Sequence, residues 1–108
     1  MVERALTPAG RSGREQHGTR PAIVVQAIDT PNLSTLVVVP MTTNQAATRF
    51  PGCFLVEPTA SNGLTYPSVA LTNQIRALDR GRFSTTIGSL DASDLHTLEE
   101  SVRDLLGV

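Results

Sequence analysis

An arginine at the start of a predicted strand is the residue most suggestive of chemistry in this sequence. Residues 13–26 read GREQHGTRPAIVVQ, a polar, glycine-containing loop that runs directly into an apolar, β-branched segment. Pro21 biases Arg20 toward an extended backbone, and proline is tolerated as the first residue of a strand. A guanidinium at a strand start, with the Glu15 carboxylate and the His17 imidazole in the adjoining loop, suits a site that handles phosphate.

The charged residues divide the chain into a basic body and an acidic end. The 108 residues carry a net charge of −1, and all nine basic residues are arginine. Residues 1–90 carry a net charge of +3, whereas residues 91–108 carry −4. A basic body is compatible with an anionic ligand, although most surface charge only keeps a protein soluble.

Length and composition argue against several classes of protein. A chain of 108 residues is expected to form one domain with a single core. Cys53 is the only cysteine, which excludes an internal disulfide and favours a reducing, cytoplasmic location. One cysteine and two distant histidines, His17 and His96, do not have the spacing of a zinc site. Neither a signal-peptide pattern nor the run of about 20 apolar residues that a membrane span needs is found.

The hydrophobic pattern predicts several short strands. Apolar, β-branched runs bounded by turn residues predict strands at residues 2–6, 22–28, 33–41, 53–56, 68–71, 75–78 and 85–88. We expect the second and third strands to pair as an antiparallel hairpin. The consecutive valines 37–39 predict that both faces of the sheet are buried at that point. Residues 42–52 form a long polar loop, and loops of that length are usually functional or mobile.

A C-terminal amphipathic helix is predicted by its capping residues and its apolar stripe. Asp91 is the expected N-cap, and Gly107 suits the position just beyond the C-terminus. The stripe comprises Leu95, Leu98, Val102, Leu105 and Leu106. Such a helix covers either the end of a barrel or a partner subunit. The predicted fold is mostly β (α+β): a small SH3-like β-barrel with a C-terminal α-helix.

Four segments carry a resemblance to a known family. They are residues 13–26 quoted above, VPMTT at 39–43, VALTNQIRALDRGR at 69–82, and IGSL at 87–90 ahead of the closing helix. In this order and at this spacing they resemble the MazF/PemK family of toxin endoribonucleases, and we interpret residues 1–108 as a single domain of that kind. Residues 1–8 lack the aromatic residue and the two aspartates of the family's opening strand. We therefore expect the first strand to be truncated or degenerate.

The resemblance implies a type II toxin that cleaves single-stranded RNA at specific sequences, without metal or cofactor, and so arrests translation. The ribose 2′-OH attacks the adjacent phosphorus, which requires a base, stabilisation of the charged intermediate and an acid. By resemblance Arg20 stabilises the phosphate, Thr42 donates its hydroxyl to it, and Glu15 is the candidate base. The structural alternatives are an Arg20 that pins its own loop and a Thr42 that bonds only local backbone.

The resemblance also implies RNA contacts near these positions. Candidates for backbone contacts, base stacking or base-edge hydrogen bonds are Arg14, Gln16, His17, Thr43, Arg49, Phe50, Gln74 and Arg76. Several of them have structural alternatives: His17 could be a loop histidine without a role, and residues 74–76 could simply continue a strand. Phe50 could close the mouth of the barrel, and Gln74 could anchor the active-site loop.

Members of the family are homodimers that a MazE-type antitoxin inhibits, so the resemblance implies both partners. The helix stripe and residues 33–39 offer apolar surface for a two-fold interface, and an acidic antitoxin tail would fold along the basic body. Two alternatives keep the fold, because fold alone does not determine function. One is a CcdB-like toxin that binds DNA gyrase without cleaving anything, and the other is an inactive member that only binds an antitoxin.

Overall fold

A computed structural model describes residues 5–9, 20–25, 34–83 and 86–108, with the backbone alone described for residues 5–9. The strands found there are β1 (Ala5–Ala9), β2 (Arg20–Val24), β3 (Thr35–Thr42), β4 (Phe54–Val56), β5 (Ser68–Ala70), β6 (Arg76–Asp79) and β7 (Gly88–Ser89). One α-helix, α1, spans Ala92–Leu106. Short 3₁₀ helices cover Gln45–Arg49, Thr72–Gln74 and Arg80–Arg82.

The strands form one antiparallel sheet in the order β4-β5-β3-β2-β1-β7, with β6 paired to β3. The strands at the two ends of this order have only three and two residues, and in the described part of the chain they do not pair with each other. The predicted class, mostly β with a C-terminal helix and an antiparallel pair of β2 and β3, is confirmed. The expected closed barrel is corrected to an open sheet, because such short end strands provide little backbone for closure.

Apolar side chains are buried on both faces of the sheet. One cluster comprises Ile23, Val39, Met41, Val56, Leu64, Ala70 and Leu98. A second cluster comprises Ala22, Val24 and Val38. Because successive side chains of a strand point to opposite faces, Val38 and Val39 belong to different clusters, and both are fully buried. The prediction that this segment is covered on both sides is confirmed.

Helix α1 packs its apolar stripe against the first cluster. Leu98 is fully buried, and Leu95 and Val102 pack beside it. Leu105 and Leu106, in the last turn, are 47% and 59% exposed. Leu95, Leu98 and Val102 thus cover the sheet of their own chain, and the expectation that the stripe also offers surface to a second subunit stays a prediction. These three residues pack into the core of their own chain, because α1 covers one face of the open sheet.

Both predicted ends of α1 are confirmed. Asp91 has an extended backbone, and its carbonyl accepts the first helical hydrogen bond from the Leu95 N–H at 2.9 Å. Gly107 has a φ of 74°, a left-handed conformation that glycine adopts without strain, and its N–H donates to the Arg103 carbonyl at 2.8 Å. The sequence signals for starting and stopping this helix are local, which is why they identify both ends correctly.

Other boundaries differ from the predictions for local reasons. The first strand, described over Ala5–Ala9, extends three residues beyond its predicted end at residue 6 and pairs with both β2 and β7; residues 2–4 of the prediction lie outside the described residues. The last strand occupies Gly88–Ser89, so residues 86–87 of the predicted strand precede it, and residue 85 lies outside the described residues. The polar segment at residues 42–52 contains a 3₁₀ helix, because the Asn44 side chain accepts a hydrogen bond from the Ala46 N–H at 3.1 Å and caps it.

Asp94, in the first turn of α1, is expected to lower stability when it is ionised. Burial, and secondarily the charge of Asp91, raise the pKa of Asp94 above its usual value. A raised pKa in the fold means that the neutral acid is favoured there, so its stabilising contribution is complete at low pH and is lost as the pH rises through that pKa. We expect Asp94→Asn to raise the free energy of unfolding at pH 7 and to change it little at pH 3.

Urea unfolding of the wild type and Asp94→Asn at the two pH values measures this difference. A variant that is less stable than the wild type at pH 7 would contradict the expectation. It would mean that attraction between the carboxylate and the helix N-terminus outweighs the cost of burial.

Candidate active site

A pocket of about 750 Å³ lies where β2 and β3 cease to pair. The ladder between these strands ends at the pair formed by Ala22 and Pro40. Neither Pro21 nor Pro40 has an amide hydrogen with which to extend it. The ends of both strands, the two residues after β3, and the loop between β4 and β5 therefore surround an open space rather than a continuous sheet.

Arg20 lies in the wall of this pocket, at the first position of β2. Its backbone is paired with Ala9 of β1, and the three residues from Ala22 onward are buried in the two core clusters. The side chain itself is exposed. Arg20 is thus carried by an anchored strand and is exposed at the pocket, while its role as a phosphate-binding arginine stays a prediction.

Thr42 lies in the same pocket, at the last position of β3. Its hydroxyl oxygen accepts a hydrogen bond from the Asn44 N–H at 3.2 Å. This bond is the local backbone contact considered as a structural alternative. Because a hydroxyl has one hydrogen to donate as well as lone pairs to accept, the bond orients the oxygen and leaves the hydrogen available. The two roles of Thr42 are therefore compatible.

The loop between β4 and β5 forms the third wall of the pocket, after the ends of β2 and β3. The buried side chain of Asn62 holds this loop in place. The Asn62 Oδ1 accepts hydrogen bonds from the N–H groups of Thr59 and Leu64, both at 3.0 Å. Its Nδ2 donates to the Glu57 carbonyl at 2.8 Å, and its own N–H donates to the Thr59 hydroxyl at 3.1 Å. Asn62 has no exposed surface. The loop that carries residues 63–66 into the pocket is consequently rigid at its base.

Two glycines let this loop lie directly on the backbone that precedes α1. Gly63 has a φ of 71°, and a Cβ atom there would overlap the Ile87 carbonyl. A Cβ atom on Gly88 would likewise overlap the Ser61 carbonyl. The Ser89 N–H donates to that same carbonyl at 2.9 Å. The pocket wall is therefore fastened to the sheet by backbone contact.

Four polar residues of the pocket were not among the predicted site residues: Asn44, Thr65, Tyr66 and Ser68. The Asn44 Oδ1 accepts a hydrogen bond from the Ala46 N–H, and its Nδ2 group can donate hydrogen bonds. Tyr66 is 66% exposed. The sequence signals were the Asn62-Gly63 turn and the presence of one tyrosine in a chain poor in aromatic residues, but neither says that this loop reaches Arg20.

The predicted RNA-binding residues fall into three groups. Thr43 lines the pocket beside Thr42. Arg49, Phe50, Gln74 and Arg76 are exposed but do not line it, and the Arg49 guanidinium lies 4.9 Å from the centre of the Phe50 ring. Phe50 is 42% exposed. Arg14, Glu15, Gln16 and His17 lie outside the described residues.

The described lining of the pocket can stabilise an anion but supplies no proton acceptor of ordinary strength. It holds one guanidinium together with the hydroxyls of Thr42, Thr43, Thr65, Tyr66 and Ser68, and it contains no Asp, Glu or His. A guanidinium stays protonated and donates up to five hydrogen bonds in a planar fork that matches phosphate. Within the same described residues, no three His, Cys, Asp or Glu side chains cluster as a metal site would, and no helix is long and apolar enough to cross a membrane.

The chain matches one protein-family model over residues 2–106, that of the PemK-like, MazF-like toxins of type II toxin–antitoxin systems. No curated protein gives a significant match. The family match therefore rests on nearly the whole length of the chain rather than on one motif.

Similar solved structures agree with this match. The Mycobacterium tuberculosis toxin MazF-mt6 is 24% identical, with a TM-score of 0.76 over 97% of this chain and 98% of that one. An endoribonuclease in complex with its cognate antitoxin, from mycobacterial species, is 16% identical, with a TM-score of 0.77 over 100% and 96%. The MazE–MazF complex (Form II) from Deinococcus radiodurans is 25% identical, with a TM-score of 0.72 over 96% and 92%. The first two identities are low enough that those likenesses concern the fold.

Proposed function

This chain belongs to the PemK-like, MazF-like family of toxins of type II toxin–antitoxin systems, and on that premise we propose that it is a sequence-specific endoribonuclease. It cleaves single-stranded RNA by attack of a ribose 2′-OH on the adjacent phosphorus, without a metal ion, and thereby arrests translation. The structural relative described as an endoribonuclease in complex with its cognate antitoxin supports the proposal.

The observation that carries the proposal is the meeting of Arg20 and Thr42 in one pocket. These residues are 22 positions apart in the sequence and come from different strands. Both can donate hydrogen bonds to oxygen, and neither is required there by the core, because Arg20 is exposed and Thr42 is only half-buried. A fixed cation beside an oriented hydroxyl is suited to a phosphate that gains negative charge during reaction.

The proposed reaction balances without an added reagent. A base removes the proton from the 2′-OH, a bond forms between the 2′-oxygen and phosphorus, and the bond from phosphorus to the 5′-oxygen breaks. The leaving 5′-oxygen takes up a proton, and the products end in a 2′,3′-cyclic phosphate and a 5′-OH. Arg20 and Thr42 donate hydrogen bonds to the phosphate oxygens, on which charge accumulates in the intermediate.

We assign the role of base to Glu15. The family resemblance supports this assignment, and Glu15 precedes Arg20 by only five residues; the described lining of the pocket itself contains no carboxylate or imidazole. Arg14, Gln16 and His17 belong to the same segment, and we propose that they contact the RNA. A positioned base or acid is worth about 10²–10⁴-fold in rate, so the reaction can proceed with few such groups.

The exposed residues beyond the pocket extend the proposed RNA surface. Arg49 and Phe50 form a stacked pair at the end of the 3₁₀ helix that follows Thr43. Arg76 lies on β6, and Gln74 lies just ahead of it. Cations and exposed aromatic rings are the groups by which proteins hold an unpaired nucleic-acid strand.

We also propose that the chain forms a homodimer and binds a MazE-type antitoxin. The relative from Deinococcus radiodurans is a complex of MazE with MazF. The net charge of +3 over residues 1–90 favours an acidic partner. Leu105 and Leu106, at the exposed end of the α1 stripe, offer apolar surface for the two-fold interface. The mass of the purified chain in solution, measured by light scattering, tests the dimer.

Incubation of the purified protein with a long, mixed-sequence RNA in excess EDTA tests the proposed activity. We expect cleavage at discrete sites, with a 2′,3′-cyclic phosphate on each upstream fragment. A DNA oligonucleotide of the same sequence should remain intact, because it lacks the attacking 2′-OH.

A folded protein that leaves the RNA intact would refute the proposal. Inhibition of gyrase-catalysed DNA supercoiling by that same preparation would then support the CcdB-like alternative. Inertness in both assays would leave the inactive, antitoxin-binding alternative.

A further inference from the structure

Tyr66 is a large aromatic ring that the fold leaves exposed at the edge of the candidate active site. It lines the same pocket as Arg20 and Thr42, and 66% of its surface is exposed. In the described part of the chain its hydroxyl makes no hydrogen bond. Phe50 is less exposed, at 42%, and the Arg49 guanidinium covers part of it. Tyr66 therefore offers a large aromatic surface that its own chain does not use.

The backbone beneath this ring is held on both sides. Upstream, the Leu64 N–H is bonded to the buried Asn62 side chain. Downstream, the Ser68 hydroxyl donates to the Tyr66 carbonyl at 3.0 Å, and Ser68 is itself buried. Pro67 follows directly and restricts Tyr66 to extended conformations. A tyrosine has only two side-chain torsions, so little entropy is lost when a ligand orders the ring.

We propose that Tyr66 is a stacking platform for one unpaired base of the RNA, adjacent to the phosphate that Arg20 and Thr42 hold. This inference rests on the proposed function, whose substrate is single-stranded RNA. It adds to the phosphate-binding residues one residue that binds a base by stacking. Unpaired bases expose their faces, and aromatic side chains bind those faces irrespective of sequence. The pocket is within the size range of pockets that enclose small ligands, which leaves room for a nucleotide beside the strand ends.

The binding of RNA that cannot be cleaved tests the proposal separately from catalysis. The probe is a short, fluorescein-labelled, random-sequence single-stranded RNA with 2′-O-methyl riboses, and fluorescence anisotropy gives its Kd. Three variants are compared: Tyr66→Ala removes the ring, Tyr66→Leu keeps apolar bulk without a π face, and Tyr66→Phe keeps the ring without the hydroxyl. All three should fold, because the side chain is exposed.

We expect the Kd to rise about 10-fold for Tyr66→Ala and for Tyr66→Leu, and Tyr66→Phe to bind nearly as the wild type does. With cleavable RNA, the loss should fall on KM rather than on kcat. Three results would overturn the inference: unchanged binding by Tyr66→Ala, equally weak binding by Tyr66→Phe and Tyr66→Ala, or no binding by the wild type. Unchanged binding by Tyr66→Ala would point instead to a protein partner for the ring.

The stacking role of Tyr66 and the proposed RNA cleavage can fail separately in these experiments. A wild type that binds the uncleavable RNA through Tyr66 but leaves ordinary RNA intact would refute the proposed catalysis and uphold the stacking role. If Tyr66→Ala cleaves RNA as fast as the wild type and with the same KM, the proposed catalysis would be upheld and the stacking role refuted.

Discussion

Replacement of Arg20 by alanine is expected to reduce RNA cleavage by about 100-fold or more, because one fixed donor to a developing oxyanion typically contributes that much. Arg20 is exposed on a strand whose next residues are deeply buried, so the substitution should leave the fold intact. The pocket would keep the Thr42 hydroxyl but lose its only described cation. Initial rates on a long, mixed-sequence RNA in EDTA measure the loss.

Two further variants serve as controls for the effect of Arg20→Ala on RNA cleavage. Arg20→Lys keeps the positive charge but loses the planar fork, so we expect it to recover only part of the rate. Arg103→Ala removes an exposed arginine near the end of α1 that does not line the pocket, and it should cleave as the wild type does. Full activity in Arg20→Ala would contradict the site assignment. Equal losses in Arg20→Ala and Arg103→Ala would show that general positive charge, and not this position, matters.

The parts of the site that could be predicted from the sequence are those encoded by contiguous residues. Arg20 followed by Pro21 and a β-branched run specifies a cation at a strand start, and the run ending in Thr42 specifies a hydroxyl at a strand end. The antiparallel pairing of these two strands then brings the pair together. The ends of α1 were predictable for the same reason: Gly107 adopts the left-handed conformation that ends the helix, and Asp91 occupies the N-cap position, where its side chain makes no capping hydrogen bond.

The third wall of the pocket could not be predicted, because it depends on contacts between distant segments. The Asn62-Gly63 dipeptide indicates a turn in any context, but the sequence does not say that the turn packs on Ile87. That contact requires the absence of a Cβ at two separate glycines, Gly63 and Gly88, whose pairing only the fold reveals. Tyr66 reaches the pocket as a consequence. The sequence also does not say which part of the α1 stripe the sheet covers, because periodicity identifies a helix face but not how far the sheet beneath it extends; Leu105 and Leu106 stay exposed.

Substitution of Gly63 by alanine is expected to destabilise the protein by about 3 kcal/mol or more, the largest effect we predict for a single methyl group. Two costs combine there. The φ of 71° is unfavourable for any residue with a Cβ, and the new methyl group would overlap the Ile87 carbonyl, which is backbone and cannot turn aside. Urea unfolding followed by circular dichroism gives the free energy of unfolding.

Gly52→Ala is the matched control, because Gly52 also has a positive φ, of 84°, but a Cβ atom there would have nothing within 4 Å. Its cost should be only that of the backbone conformation, about 1–2 kcal/mol. The difference between the two variants therefore isolates the contact between the pocket loop and the segment before α1. If Gly63→Ala were no worse than Gly52→Ala, the loop would have moved away at little cost. A loop that moves so easily would not hold Tyr66 in place, and the stacking platform would lose its physical basis.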